Sequence, residues 1–171
     1  MPAGLRLPPA LYVPDYRLFL GGLSGSLLSA RMVDVALGWQ VYAIHERALD
    51  LGLLGLVEFL PLPLLALPAG QLADRFPRRI IYAVSTSLYA VVSATLIAVS
   101  LGGANQLWPF LLLGAANGCA GAIGNPASRS LPPMLVEPRL LAGAFAVRTS
   151  VAQIAFVVGP ATGGFLFAAR P

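Results

Sequence analysis

The chain alternates long apolar runs with short polar links. Five runs stand out, at about residues 18–44, 51–72, 80–101, 107–126 and 140–169. A helix of about 20 apolar residues crosses the hydrocarbon core of a bilayer. The pattern therefore predicts an all-α integral membrane protein with five transmembrane helices. Residues 1–17 contain prolines and arginines but no apolar run, so we expect a flexible lead-in before a transmembrane bundle at 18–171.

Composition excludes a soluble protein. The 171 residues are 57% apolar and only 11% charged, whereas a soluble domain carries about 25% charged residues. So few charges cannot form a polar outer shell. Within the second run, Pro61, Pro63 and Pro68 remove backbone donors, so we expect a bent helix whose freed carbonyls are satisfied by its neighbours.

The arginines are distributed unevenly between the two sides of the predicted helices. Seven lie in the lead-in and in the second and fourth links, and two lie on the opposite side. Arginine-rich loops stay in the cytoplasm. The sequence thus predicts a multi-pass protein of the cell inner (plasma) membrane with a cytoplasmic N-terminus. The seven are Arg6, Arg17, Arg75, Arg78, Arg79, Arg129 and Arg139, and the two are Arg47 and Arg170.

Four ionisable residues fall inside the predicted helices, namely Arg31, Asp34, Glu58 and Arg148. Each costs about 2.5–3.5 kcal/mol in a bilayer, so we expect them to face an interior cavity and to pair with one another. Arg31 and Asp34 are three residues apart, a spacing that allows an ion pair on one helix face. The set either lines a path for a substrate or protons, or fixes helix packing by static charge pairing.

Polar neutral side chains extend this set of path candidates. Gln40, Asn117 and Gln153 lie in three different predicted helices and can bind a ligand or a neighbouring helix. Glycine pairs four residues apart, which let membrane helices approach closely, occur at Gly21 and Gly25, at Gly114 and Gly118, and at Gly159 and Gly163.

The sequence contains no pattern typical of an enzyme. Cys119 is the only cysteine and His45 the only histidine, so we expect neither a disulfide nor a metal site. A phosphate-binding loop and a plausible Ser-His-acid set are both absent, and we expect no cofactor. The scattered arginines form no basic patch with interleaved aromatics, which argues against nucleic acid as a partner.

Two motifs resemble those of the major facilitator superfamily. The link from Gly70 to Arg79, with the sequence GQLADRFPRR, resembles the superfamily's signature loop between helices two and three, with Pro77 where the consensus commonly has glycine. The segment GPATGG, from Gly159 to Gly164, is similar to the Gly-Pro signature of facilitator antiporters. Segments 39–42, 52–61, 125–129 and 131–136 are similar to the enterobactin-exporter-like and multidrug efflux branch.

This resemblance implies a secondary transporter that works by alternating access, with proton-coupled efflux of a small molecule such as a drug or siderophore. Its expected partners are the lipid bilayer, the small-molecule substrate and protons. Two groups of residues then acquire roles. The cytoplasmic gate loop comprises Gly70, Asp74, Arg75, Arg78 and Arg79. The Gly-Pro motif of the fifth helix comprises Gly159, Pro160, Gly163 and Gly164, of which the first two are expected to set the bend and close packing of that helix.

The superfamily fold has twelve helices in two halves of six. Five helices correspond to its N-terminal part, so the resemblance implies that the remaining C-terminal helices or a complementary subunit are needed for transport. The alternative is a truncated, non-transporting membrane remnant or a helix-interaction module that requires a partner subunit.

Overall fold

The structure is a computed structural model that describes residues 8–168, apart from the side chains of residues 73, 74 and 166–168. Over this range it is helical, with two 3₁₀ turns at Pro9–Tyr12 and Pro138–Leu140. The helices are α1 (Pro14–His45), α2 (Ala48–Phe59), α3 (Pro61–Arg75), α4 (Arg78–Leu101), α5 (Leu107–Ser130), α6 (Pro132–Leu135) and α7 (Leu141–Ala168).

Five segments of the described chain are long and apolar enough to cross a membrane. They are α1, the α2–α3 pair, α4, α5 and α7, together with the 3₁₀ turn before α7. Large apolar side chains such as Leu18, Leu67 and Phe165 point outward and are more than 70% exposed. An outward apolar surface of this kind is stable in lipid. The predicted all-α membrane fold with five transmembrane segments is therefore confirmed.

The first predicted boundary is wrong. Helix α1 begins at Pro14 rather than near residue 18, because the fixed φ of proline suits the first turn of a helix. Tyr16, expected in the flexible lead-in, is fully buried and donates a hydrogen bond of 2.5 Å to the carbonyl of Ala144. Residues 8–17 thus join the bundle. The rest of the lead-in, including Arg6, and residues 169–171, including Arg170, lie outside the described residues.

The second predicted helix is interrupted at Leu60, in the proline-rich part where the sequence predicts a bend. Helix α2 ends at Phe59 and α3 begins at Pro61, with Leu60 between them. Pro61 and Pro63 lack backbone N–H groups, so the carbonyls four residues before them lose their usual donors. The Leu60 N–H still reaches the Leu56 carbonyl at 2.9 Å, which keeps the two pieces in one membrane-spanning segment.

Two connections are shorter than the sequence suggests. Only Phe76 and Pro77 separate α3 from α4. The fourth predicted helix extends beyond residue 126 to Ser130, since Pro126 lies within α5 without ending it. A membrane helix tolerates an internal proline when its neighbours satisfy the freed carbonyl. The expected loop at 127–139 therefore contains a helical turn of α5 and the short α6.

Successive membrane-spanning segments run in opposite directions and enclose two apolar clusters at different depths. One cluster joins the start of α1, through Tyr16, Phe19 and Leu23, to the α5–α7 connection. The other joins the later part of α1, through Val33 and Leu37, to α2, α4 and the start of α5. The section of α1 between them carries Ser26, Arg31 and, beside Val33, Asp34. The two clusters thus leave a polar layer near the middle of the bundle.

Helix α5 passes through the centre of the bundle. Half of the most apolar 18 residues of α5 are buried, whereas the buried share in the other four membrane-spanning segments is 11–22%. Its glycines explain this position. A Cβ atom at Gly114 would lie 2.7 Å from the Leu54 side chain, and one at Gly118 would overlap the backbone carbonyl of Glu58. Small residues at these points allow α2 to lie directly against α5.

The other glycine pairs differ in use. A Cβ atom at Gly159 would come within 2.5 Å of the Arg31 side chain, and one at Gly163 within 3.4 Å of Val35. This pair brings α7 close to α1. Gly21 and Gly25, in contrast, have no atom within 4 Å of a hypothetical Cβ, so the spacing alone does not predict a helix contact there.

The contact at Gly118 generates a prediction about stability. We expect Gly118→Ala to lower the free energy of unfolding by about 1–3 kcal/mol, because a methyl group would meet backbone atoms of Glu58 that cannot rotate away. Thermal denaturation of the purified protein in detergent measures the change. The control is Gly52→Ala on α2, where no atom lies within 4 Å of the added methyl group. Equal denaturation temperatures for the two variants would contradict the prediction.

Candidate functional site

Three helices bring ionisable and amide side chains together in the polar layer. Arg31 and Asp34 come from α1, Glu58 from the last turn of α2, and Asn117 from the middle of α5. The glycine at 118 holds α5 against the backbone of Glu58, so the preceding residue, Asn117, lies beside the Glu58 side chain. The close packing of α5 therefore determines where this group forms.

Asn117 connects the two carboxylates. Its side chain is only 5% exposed, and its Nδ2 atom donates hydrogen bonds of 2.7 Å to Asp34 Oδ1 and 2.7 Å to Glu58 Oε1. An amide nitrogen has two hydrogens to donate, and both are used here. One neutral side chain thus holds an acid of α1 and an acid of α2 in the same place.

Arg31 connects this group to α7. Its guanidinium forms the ion pair expected from the spacing, at 2.9 Å from Asp34 Oδ2, and lies 5.2 Å from the centre of the Phe156 ring. A cation over an aromatic face is attracted by the ring quadrupole. Gly159, three residues after Phe156, allows α7 to come this close. Arg31 is therefore held from both sides.

A cavity of about 350 Å³ adjoins this group, and Arg31, Asp34, Glu58 and Asn117 all line it. Tyr89 of α4 also lines this cavity, although the sequence does not predict it as a path candidate. A tyrosine in a membrane helix gives no distinct sequence signal, since it serves equally well at the headgroup level. The cavity places a polar, partly aromatic surface beside two acids and one base.

Arg148 and Gln153 line a second cavity, of about 520 Å³, between α1, α5 and α7. Arg148 does not meet Glu58, although the sequence predicts that the four ionisable residues pair with one another. Its guanidinium instead donates to Ser128 of α5, from Nη2 to Oγ at 2.8 Å and from Nε to the carbonyl at 3.3 Å. Arg31 and Asn125 line both cavities, so the two adjoin each other.

Gln40 lies apart from both cavities. Its Nε2 atom donates a 3.3 Å hydrogen bond to Ser100 Oγ near the far end of α4. The sequence predicts Gln40 as a path candidate because polar residues in membrane helices often face a cavity. Here its observed partner is a neighbouring helix, and it lines neither of the two cavities described above.

The signature segment forms two helix ends rather than a loop. Gly70 and Arg75 belong to α3, while Arg78 and Arg79 form the first turn of α4. Asp74 lies in the last turn of α3, and its side chain is outside the described residues. Arg79 lines a small cavity of about 230 Å³ together with Asp15 of α1, so the segment faces the start of the first helix.

The Gly-Pro segment lies within α7 and continues its helix. Gly159 and Gly163 face α1, whereas Gly164 has no atom within 4 Å of a hypothetical Cβ. Pro160 lies inside the helix without ending it. The motif therefore contacts α1 through Gly159 and Gly163.

Comparison with known proteins assigns the chain to a family. Residues 19–170 match the family described as transmembrane secretion effectors of the major facilitator superfamily. This match covers nearly the whole chain. The chain belongs to the major facilitator superfamily. Its proteins are transporters rather than enzymes, in agreement with the absence of an enzyme pattern in the sequence.

Two curated proteins of this superfamily are similar to the chain. One is the uncharacterized MFS-type transporter YfiS of Bacillus subtilis, 28% identical over 128 residues, which are 75% of this chain and 30% of that protein. The other is the staphyloferrin A transporter of Staphylococcus aureus, 23% identical over 155 residues, which are 90% of this chain and 37% of that protein. The chain thus spans about a third of the length of these relatives. No solved structure matches it.

The geometry at Asn117 yields a second stability prediction. We expect Asn117→Ala to lower the free energy of unfolding by about 1–3 kcal/mol, because both acids lose the donor that they share. Adding Glu58→Gln should recover part of this loss, since a glutamine can donate to Asp34. Thermal denaturation of the single and double variants measures both effects.

The matched control for this prediction is Asn105→Ala, at an exposed asparagine in the link between α4 and α5. We expect the control to denature at the temperature of the unmodified protein. If Asn117→Ala behaves like Asn105→Ala, the amide bridge does not contribute to stability.

Proposed function

We propose that the chain forms the N-terminal membrane part of a secondary transporter that exports a small molecule in exchange for protons. The observation that carries the proposal is the bridge from Asn117 to Asp34 and Glu58 beside a cavity in the polar layer. Ionisable residues within membrane helices mark substrate or proton pathways more often than not.

Charge balance supports a role for protons. With all three groups ionised, Arg31 supplies one positive charge and the acids Asp34 and Glu58 supply two negative charges, so the group has a net charge of −1. Binding of one proton to an acid makes the group neutral. A buried net charge is costly in a bilayer and a neutral group much less so. Loading and release of one proton would therefore change the free energy of the polar layer during transport.

The relatives support a small-molecule substrate. One of them is by its name a transporter of staphyloferrin A. We propose that the substrate here is likewise a small molecule such as a siderophore or a drug, as in the enterobactin-exporter-like and multidrug efflux branch. The two adjoining cavities, of about 350 and 520 Å³, provide room for part of such a molecule.

We further propose that the segment around Gly70, Asp74 and Arg75 acts as a gate in alternating access, with Arg78 and Arg79 on the facing helix end. Charged side chains at helix ends can exchange ion-pair partners without entering the apolar core. Two such arrangements are what a conformational latch requires.

The central prediction concerns Glu58. In inside-out vesicles from cells expressing the gene that contains this sequence, addition of a transported compound should release protons from the vesicle lumen, detected by a pH-sensitive fluorescent dye. A panel of siderophores and drugs identifies such a compound. We expect Glu58→Gln to reduce the proton signal at least about tenfold, because glutamine cannot exchange a proton.

The control for Glu58→Gln is Glu137→Gln, which removes the same charge at a surface ion pair with Arg139. Such a pair contributes little to stability because both side chains are exposed to solvent. The control should transport normally. A full proton signal in Glu58→Gln would reject the assignment of Glu58 to the proton path.

We propose a cytoplasmic N-terminus, which can be tested by labelling. In a Cys119→Ala background, Ala104→Cys should react with a membrane-impermeant maleimide in intact cells. Arg139→Cys should react only after permeabilisation, because it lies at the arginine-rich end of the bundle. The opposite labelling pattern would reverse the proposed orientation.

A second candidate function is a helix-interaction module that acts only with a partner subunit. The observation that favours it is that the chain spans 30% and 37% of the two curated relatives. Purified chain reconstituted alone into liposomes distinguishes the candidates. Proton-coupled flux that depends on Glu58 in these liposomes would exclude the need for a partner subunit. Flux that appears only when further helices are added would support the helix-interaction module.

A further inference from the structure

The larger cavity, between α1, α5 and α7, contains a concentration of positive charge. Three arginines line it, namely Arg31, Arg129 and Arg148, and among the described side chains that line it there is no acid. Asp34 compensates Arg31 through their 2.9 Å ion pair. Two guanidinium charges therefore face the same space without an acidic residue in its lining.

Arg148 is held so that part of its guanidinium is free for a ligand. Ser128, which is only 3% exposed, accepts from Nη2 through Oγ and from Nε through its carbonyl oxygen. A guanidinium has five N–H donors, so this anchoring fixes the plane of the group and leaves other donors where the side chain lines the cavity. A fixed, planar fork of donors suits a carboxylate or a phosphate.

Neutral polar groups surround the two arginines. Asn125, Thr149 and Gln153 line the same cavity and can complete hydrogen bonds to the remaining oxygens of a ligand. Arg129 lies in the last turn of α5 and lines the cavity together with the α7 residues. Cationic groups from two helices thus converge on a space of about 520 Å³.

We propose that this cavity binds a ligand with at least two negative charges, through carboxylate or phosphate groups. The reason is electrostatic, because Arg129, which is exposed, and Arg148, which is half-buried, line one cavity without an acid, and a cleft lined by charges of one sign attracts ligands of the opposite sign. The inference rests on the proposed transport function, since it defines the chemical class of the exported substrate. A phospholipid headgroup has the same chemistry and is distinguished from a soluble substrate below.

The test uses the purified chain in nanodiscs of neutral phosphatidylcholine. Isothermal titration measures the binding of tricarballylate, which carries three carboxylates, and of its uncharged trimethyl ester. We expect tricarballylate to bind and the ester not to bind. Arg148→Gln and Arg129→Gln should each weaken the binding of tricarballylate about tenfold or more, because each removes charge-assisted hydrogen bonds.

Two further variants separate anion recognition from folding. Arg139→Gln removes the same charge at an exposed site outside the cavity and should leave the affinity unchanged. Arg148→Lys retains the charge but lacks the planar fork, so we expect an intermediate affinity. It also tests the site if Arg148→Gln does not fold.

A parallel preparation with phosphatidylglycerol in the nanodisc distinguishes the two sources of anion. Competition of this lipid with tricarballylate, lost in Arg148→Gln, would assign the site to a lipid phosphate. The absence of such competition would assign it to a soluble substrate. Failure of both anions to bind, equal binding of acid and ester, or unchanged affinity in both glutamine variants would overturn the proposal.

Binding is measured here without a proton gradient. If no anion binding depends on Arg148 while the proton signal still depends on Glu58, the anion site is rejected and the proposed proton coupling is not. An intact anion site with no proton signal would reject the proposed coupling alone.

Discussion

The arrangement of the polar layer depends on the close approach of α5 to the end of α2. Gly118 lies against the backbone carbonyl of Glu58, where no larger residue fits without moving one of the helices. Since lipid tails are as apolar as leucine, membrane helices gain little from burying apolar surface against each other, and close packing carries much of their association. This contact also places Asn117 beside Glu58. The packing of α5 against α2 therefore determines which polar groups contact each other.

The divided second segment contributes to the same arrangement. Pro61 and Pro63 interrupt the hydrogen-bond pattern immediately after Glu58. A straight helix and a divided one direct their side chains differently beyond the interruption, so the position of the prolines fixes how α3 leaves the polar layer. The interruption therefore lies between the acids in the middle of the bundle and the charged residues at the arginine-rich end of α3.

Much of the fold could be predicted from sequence, since hydrophobic runs of about 20 residues leave few alternatives in a bilayer. The Arg31–Asp34 pair followed from a spacing of three residues within one helix. The partners of Glu58 and Arg148 could not be predicted in this way, because they depend on how separate helices pack. Gln40 and Arg148 look alike in sequence, as polar residues within apolar runs, yet one contacts a neighbouring helix and the other lines a cavity. The sequence does not predict the early start of α1, because Pro8, Pro9 and Pro14 are typical of a flexible segment. The buried hydrogen bond of Tyr16 depends on α7 and gives no signal in the sequence.

Arg31 differs in position from the acids and the other arginines whose side chains the structure describes. It lines both cavities, pairs with Asp34 on one side and lies over Phe156 of α7 on the other. Any event that changes the charge on Asp34 or Glu58 alters the attraction that holds Arg31 in place. An anion bound near Arg148 and Arg129, as proposed above, would also attract Arg31, because Arg31 lines the same cavity. Because one cation cannot be compensated fully by both sides at once, occupation of one cavity necessarily affects the electrostatic free energy of the other. Under the proposed transport function, this competition would require no movement of the backbone and would couple the proposed proton to the proposed anionic ligand.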